Sequence, residues 1–504
     1  MIDGCFTAFG VGATGLQREN PYLCIKKPII MIRKKTKIVA TLGPATLDYE
    51  VKKQMVAEGV NVFRFNFSHA DYDVVKEQLE HIRRIREELQ TPVGTLADLQ
   101  GPKLRIGHMK EGTVLHKGDE FVLTNLEKEG DSHTAYINYQ PLPSEVQPGE
   151  LILLDDGKIH LRVKSTDRRH EIVTEVLQGG PLASRKGLNL PESAISVPSV
   201  TEKDKRDLAF ALENEIDWIA LSFVRKAQDI LDLKAFMRLQ FSADVPVIAK
   251  IEKPEAVENF DSILEAADGV MVARGDLGIE IPMEQVPLIQ KQIVYKAKDA
   301  AKPVIIATQM MESMINSLIP SRAEVNDVAN AVIDGADAVM LSGETSVGQY
   351  PVEVIRRMSK IILASEEGIE HEVEHIVPPK DDPRFITKMI CFDAAESAND
   401  VGAKVITTLT SSGFSAAQVA SHRPESFIAV FTKNRRLINR LTLFWGVYPY
   451  FYDREVSTDE TIRDIIRIIR EEKFVEPGDF VINLTSMPIR EQGMVNTLRL
   501  TQIH

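Results

Sequence analysis

The chain has 504 residues, 44% hydrophobic and 26% charged, an ordinary globular balance with length for about three domains. Its net charge of -13 argues against a nucleic-acid binder, which needs a basic face. It leaves room for anionic small substrates, because salt screens distant charge beyond about 10 Å and a few local cations can dominate a cleft. The three cysteines, Cys5, Cys24 and Cys391, are scattered, which gives neither a disulfide framework nor a metal cluster and fits a reducing, cytoplasmic setting. No run of about 18 apolar residues predicts a membrane span.

Residues 1–32 read as a loose N-terminal arm; Asp3 and the lack of a basic start make them a poor signal peptide. From there, eight short apolar, β-branched runs occur at 36–42, 61–68, 93–99, 217–224, 245–251, 269–273, 303–308 and 336–341. Runs of this length bounded by turn residues read as buried parallel strands. Helical patterns follow nearly all of them. In 321–335, Val325, Val328, Ala329, Val332 and Ile333 recur at helical spacing behind a Ser321/Glu324 capping box. Eight such units predict a (β/α)8 barrel, with an open doubly wound sheet as the rival.

The third unit is interrupted. Between about 101 and 198, stretches such as GTVLHKGDEFVLT and HEIVTEVL alternate apolar and polar residues, which predicts a compact all-β insertion. After the last barrel helix, HIVPPKDDPRF reads as a linker. Strands near 404–409, 427–431 and 480–484 with a helix at 459–471 predict a separate α/β domain. The expected division is an arm at 1–32, barrel at 33–101 and 199–370, β-barrel lid at 102–198, and C-terminal α/β regulatory domain at 380–504.

Catalytic groups of such barrels sit where strands run out into the following loops. In VFRFNFSHA, alternation puts Phe63, Phe65 and Phe67 on one face and Arg64, Asn66 and Ser68 on the other, toward the barrel axis. In IAKIEKPE, Lys250 and Glu252 share a face, and Asp276 follows the next strand in MVARGDLG. Two carboxylates without histidines suit a hard cation such as magnesium or manganese; a structural Lys–Glu pair with a turn aspartate is the alternative. Gly275 and Gly278 permit close approach of a ligand to the backbone, and Thr308 and Ser342 place hydroxyls at two further strand ends, where helix capping is the plainer use. Arginine, lysine, two carboxylates and hydroxyls together fit phosphoryl transfer or enolate chemistry.

The stretches KTKIVATLGPAT, VNVFRFNFSHA, ADLQGPKLRIG, KGLNLP, IAKIEKPEAVENF, GVMVARGDLGIEIP, ATQMMESM and SRAEVNDVANAVIDGADAVMLSGETSVGQYP, in this order, closely resemble the pyruvate kinase family. The resemblance implies transfer of the phosphoryl group of phosphoenolpyruvate to ADP in glycolysis. It implies that Lys250 stabilises phosphoryl and enolate charge, and that Glu252 and Asp276 hold Mg2+ or Mn2+. Ala273, Arg274 and Gly275 would line the substrate site, Arg274 through its side chain. Arg64 and Arg105 would steady phosphoryl oxygens, Thr308 would sit near the substrate carboxylate and enolate carbon, and Ser342 would serve the proton relay. His69, Lys186 and Asn66 would contact the nucleotide, with Asp155 and Asp156 meeting it as the lid closes.

Asn66, Ser68, Asp98 and the Leu99 carbonyl match the family's potassium site, but Lys103 stands where potassium-dependent members carry glutamate. That resembles the potassium-independent, bacterial-type branch, a lysine ammonium supplying the ion's charge. LTSSGFSA resembles an effector-phosphate loop, with Ser411, Ser412 and Ser415 as candidate contacts. A homotetramer is implied by resemblance alone. The rival readings are another magnesium-dependent phosphoenolpyruvate or pyruvate barrel, an aldolase or lyase, and a non-catalytic relative.

Overall fold

The computed structural model describes residues 32–68, 70–193, 196–369, 378–454, 456–487 and 494–504. Most of the expected arm, and His69, lie outside the described residues. Eight parallel strands close into a barrel: β1 Lys37–Thr41, β2 Val62–Asn66, β3 Gly94–Asp98, β4 Trp218–Leu221, β5 Val247–Ile251, β6 Gly269–Ala273, β7 Val304–Ala307 and β8 Ala338–Leu341. β1 pairs with both β2 and β8, which closes the ring and rules out the open sheet. Each strand falls within an expected β-branched run, because a strand buried on both faces is largely apolar apart from the few polar side chains it sends into the barrel.

Alternation divides these strands between two cores. Ile38, Phe63, Phe65, Val270 and Val272 face outward into the layer under the helices. Val39, Val62, Leu96, Ile248, Met271 and Ile305 fill the barrel interior. The helices are capped as their sequences suggest. Ser321 Oγ accepts from the Glu324 N–H at 3.2 Å while Glu324 Oε2 accepts from the Ser321 N–H at 2.7 Å.

Between β3 and β4 the chain leaves the barrel to form a six-stranded sheet. Its spatial order is Leu188–Asn189, Leu151–Leu154, Ile159–Thr166, Glu171–Gln178, Glu120–Thr124 and Thr134–Tyr136. Half-buried antiparallel strands alternate, and Ile159, Leu161 and Val163 join Phe121, Ile172 and Val176 in a core separate from the barrel's.

The C-terminal unit is a five-stranded sheet in the order Val447–Phe451, Phe427–Thr432, Val405–Leu409, Phe480–Thr485 and Thr497–Gln502. The two strands that sequence reading did not identify are the two edges. Val447–Phe451 contains Pro449, a strand breaker tolerated where one side of the ladder is unpaired. Thr497–Gln502 is a polar antiparallel strand paired with Phe480–Thr485. This unit covers the N-terminal end of the barrel. The Gly446 N–H donates to Lys35 O at 2.9 Å, and Asp337, just before β8, accepts from the Trp445 N–H at 3.0 Å and from Arg423 at 2.9 Å. In the same contact Lys37 is fully buried: its Nζ donates to Val447 O at 2.8 Å and lies 4.4 Å from the Tyr448 ring. The opposite end, where the strands point, is left to the loops and the insertion.

Candidate active site

Side chains from five strands converge at that end. Arg64, in the middle of β2, donates through Nε to Asp98 Oδ2 at 2.7 Å and through Nη1 to Thr41 Oγ1 at 2.9 Å. Asp98, the last residue of β3, also lies 3.2 Å from the Lys250 ammonium. Lys250, on β5, donates to Ser222 Oγ at 2.7 Å and pairs with Glu252 at 2.9 Å. The alternation that put Arg64 on the axis, and Lys250 with Glu252 on one face, has brought these groups onto one another.

Burial is nearly complete: Asp98 and Glu252 are each 1% exposed and Lys250 9%. Burial alone would raise the Asp98 carboxyl, but Lys250 and Arg64 overcome it and hold the group below the usual carboxylate range. Burial pulls Lys250 down, and the Asp98 and Glu252 charges more than reverse it, so the ammonium is held protonated. Glu252 is pushed up by burial, against the pull of Lys250, and further by the charge of Asp276. A buried carboxylate whose proton affinity is raised by a second one nearby is the electrostatic setting a divalent cation relieves, and both Glu252 and Asp276 offer the oxygen ligands such an ion takes.

Two strand ends are bent to serve this arrangement. Phe223, after Ser222, has φ 55°, and its N–H donates to Glu252 Oε2 at 2.7 Å. Thr308, after β7, has φ 67°, and Gln309 has φ 56°. A β-branched residue in the left-handed region is strained. The strain places Thr308 Oγ1 to accept the Gly275 N–H at 2.7 Å, so the hydroxyl grips the start of helix Arg274–Glu280, which carries Asp276. Ala273, the last residue of β6, is buried at this junction. Ser342 is half-buried after β8, and its N–H donates to Glu344 Oε2 at 2.7 Å.

Other expected contacts are differently disposed. Arg274 was expected to offer its side chain to the substrate. Its guanidinium is instead committed to Asp327, at 2.6 and 2.7 Å, and to Thr308 O. It braces the β7 loop against helix Arg322–Ile333. Arg105 donates to Arg185 O at 3.1 Å within the root of the insertion. Lys186 pairs with Asp155 at 2.7 Å. Asn66 Oδ1 accepts the Ser68 N–H at 3.2 Å, and the Leu99 carbonyl accepts the Ser222 hydroxyl at 2.7 Å. Lys103 lines a cleft between insertion and barrel, together with Asp156, Asn189, Lys253 and Asp276. In the C-terminal unit Ser411 and Ser412 are exposed, but Ser415 is 3% exposed and bonded to Thr408 at 2.8 Å. Helix Phe414–Ser421 turns that residue into the core, so its hydroxyl is not part of a surface nest.

Sequence reading did not single out Ser222, which orients Lys250, or Thr41, which orients Arg64. Each lies at a strand end, the signal that marked Thr308 and Ser342.

The family model for the pyruvate kinase barrel domain matches residues 33–355, and that for the pyruvate kinase alpha/beta domain matches 388–501. The chain belongs to the pyruvate kinase family. It is 41% identical to a pyruvate kinase of Geobacillus stearothermophilus over 93% of this chain and 80% of that one. It is also 41% identical to a Thermococcus litoralis pyruvate kinase, over 93% and 98%. The fold matches the crystal structure of a pyruvate kinase from Cryptosporidium parvum with a TM-score of 0.88 and 35% identity, over 94% of this chain and 96% of that one. The chain is a phosphotransferase of this family, which moves the phosphoryl group of phosphoenolpyruvate to ADP and uses a divalent metal. The aldolase, lyase and non-catalytic readings fall away.

Proposed function

We propose that the activity runs on the cluster at the barrel mouth, and that one observation carries the assignment: the Lys250 ammonium held between Asp98, Glu252 and Ser222. Lys250 and Arg64 are cations already oriented by buried partners, so they need not reorganise as charge spreads over the transferring phosphoryl and the enolate. Glu252 and Asp276 hold the divalent ion, Mg2+ or Mn2+, which when bound neutralises phosphoryl charge. Backbone groups of Ala273, Gly275 and Asp276 line the substrate carboxylate, with Thr308 fixing that turn and Ser342 on the proton path. Arg105, Asn66, His69 and Lys186 serve the phosphoryl group and nucleotide as the insertion, 102–198, closes over the mouth. The barrel in this reading is 33–101 and 199–370, and the regulatory domain is 380–504.

Pyruvate release from phosphoenolpyruvate and ADP tests this directly. Glu252→Gln and Asp276→Asn should each abolish Mn2+ binding by the folded protein as well as turnover. Wild-type Mn2+ affinity in both would remove the metal assignment.

The potassium-independent, bacterial-type branch is the finer reading, supported by Lys103 in the cleft beside Asp156 and Asp276. Activity should persist when potassium is replaced by a bulky organic cation; a large fall in kcat would refute it. A phosphorylated effector at Ser411 and Ser412 and a homotetramer complete the proposal. Exposed Leu288, Ile319 and Ile333 on neighbouring barrel elements support self-association. Sedimentation with and without a panel of sugar phosphates checks both. No helix among the described residues is long and apolar enough to cross a membrane, and the scattered cysteines support a cytoplasmic setting.

A further inference from the structure

Helix Arg274–Glu280 carries Asp276 in its first turn and ends at Glu280. The Glu280 side chain is 1% exposed. Its Oε1 accepts from Lys253 Nζ at 2.6 Å and from Asn189 Nδ2 at 2.8 Å, while Oε2 has no hydrogen-bond partner among the described residues. A buried carboxylate with one oxygen unmet is a poor stabilising device, because desolvation offsets the attraction of its partner. Its effect is to fix positions, and the three groups come from three separate places.

Lys253 follows Glu252 directly and stands at the start of helix Pro254–Glu258. Its pairing with Glu280 therefore braces the backbone that carries Glu252 against the helix that carries Asp276. Asn189 belongs to the insertion. It sits opposite Leu153 in the ladder with Leu151–Leu154, the strand that runs straight into the Asp155–Asp156–Gly157 turn. Asp155 and Asp156 have φ 50° and 54°, a tight left-handed turn that presents Asp156 to the cleft. A Cβ built on Gly157 would stand 3.5 Å from Ile279, the residue before Glu280, so the turn rests on the same helix.

We propose that Glu280 is a positioning residue that latches the insertion to the barrel: Asn189 ties the lid strand to the Lys253–Glu280 brace, which sets the height of the Asp155–Gly157 turn over the two carboxylates and so governs binding of the magnesium–nucleoside diphosphate. This rests on Glu252 and Asp276 being the divalent ligands. The latch acts on the nucleotide side of the reaction, because phosphoenolpyruvate meets Lys250 and Arg64 inside the barrel mouth whereas the nucleotide must lie under the lid.

The test uses the full-length protein. Asn189→Ala should raise KM for Mg·ADP about tenfold, the worth of one hydrogen bond to a charged group, with KM for phosphoenolpyruvate unchanged. In the ligand-free protein the same substitution should speed amide exchange at residues 151–158 and 186–190 and leave β5 and β6 as protected as before. Asn189→Asp, which sets two carboxylates against each other, should do both more strongly. The paired variant Lys253→Met/Glu280→Gln keeps an amide oxygen for Asn189; it should preserve slow exchange in the lid while weakening Mn2+ binding, read from the free-ion EPR signal. Unchanged lid exchange in Asn189→Ala, or an equal rise in both KM values, would overturn the latch. Failure of the metal reading is separately visible, as wild-type Mn2+ affinity in Glu252→Gln with lid exchange still responding to Asn189.

Discussion

The two ends of the barrel bury the same side chain to opposite effect. At the mouth, Lys250 lies within ion-pair distance of Asp98 and Glu252, and those charges more than reverse the effect of burial on its proton affinity. At the base, Lys37 donates to a carbonyl and faces a ring, with Glu366 and Asp337 acting only at longer range; burial there pushes it down to about 7. The mouth keeps its cation charged by surrounding it with carboxylates, and so has electrostatic stabilisation to offer a phosphoryl group. The base uses its lysine as a hydrogen-bond donor that seats one domain on another. Buried charge therefore marks the proposed reactive site here, where counter-charges are assembled around it, and not the base.

The sharpest way to break that contrast is to remove each lysine in turn. Lys250→Met should cost on the order of a thousandfold or more in turnover, measured as pyruvate release, while the protein stays folded. Lys37→Met should leave kcat unchanged. A comparable loss in both would mean that the ends are not distinct.

The next effect is on stability. Between about 7 and 10.5 the unfolded chain keeps the Lys37 proton that the folded chain has lost. Wild-type stability should therefore rise with pH across that window, and the cost of burying the charge is fully present below it. Urea denaturation should find Lys37→Met more stable than wild type by about 1–3 kcal/mol near pH 6, with the difference shrinking toward high pH. A difference that grows with pH would reverse the assignment.

The smallest effect concerns Ser222. Its hydroxyl accepts from Lys250 and donates to the Leu99 carbonyl, so Ser222→Ala should cost about 1 kcal/mol, roughly fivefold in kcat/KM. Wild-type kinetics would show that Asp98 and Glu252 alone orient the ammonium.

The barrel was legible in the chain because each strand needed a short, largely apolar run, and the Arg64 and Lys250 faces because strand alternation is a local rule. What escaped depended on distant partners. Arg274 meets Asp327, a residue 53 positions away, and no local pattern announces that its guanidinium is already engaged. Ser415 looked like a loop hydroxyl until the helix beginning at Phe414 turned it toward Thr408. Val447–Phe451 went unidentified, and it carries Pro449, a residue that a strand accommodates at a sheet edge.

The insertion and the C-terminal sheet each possess an apolar interior that shares little with the barrel's. Melting should accordingly spread over more than one calorimetric peak, with van't Hoff enthalpies smaller than the integrated heat. If phosphoenolpyruvate binds at the proposed site where the barrel strands end, it should shift the peak belonging to the barrel and leave the C-terminal sheet's nearly in place. A single melting temperature would therefore be a poor measure of ligand binding in this chain.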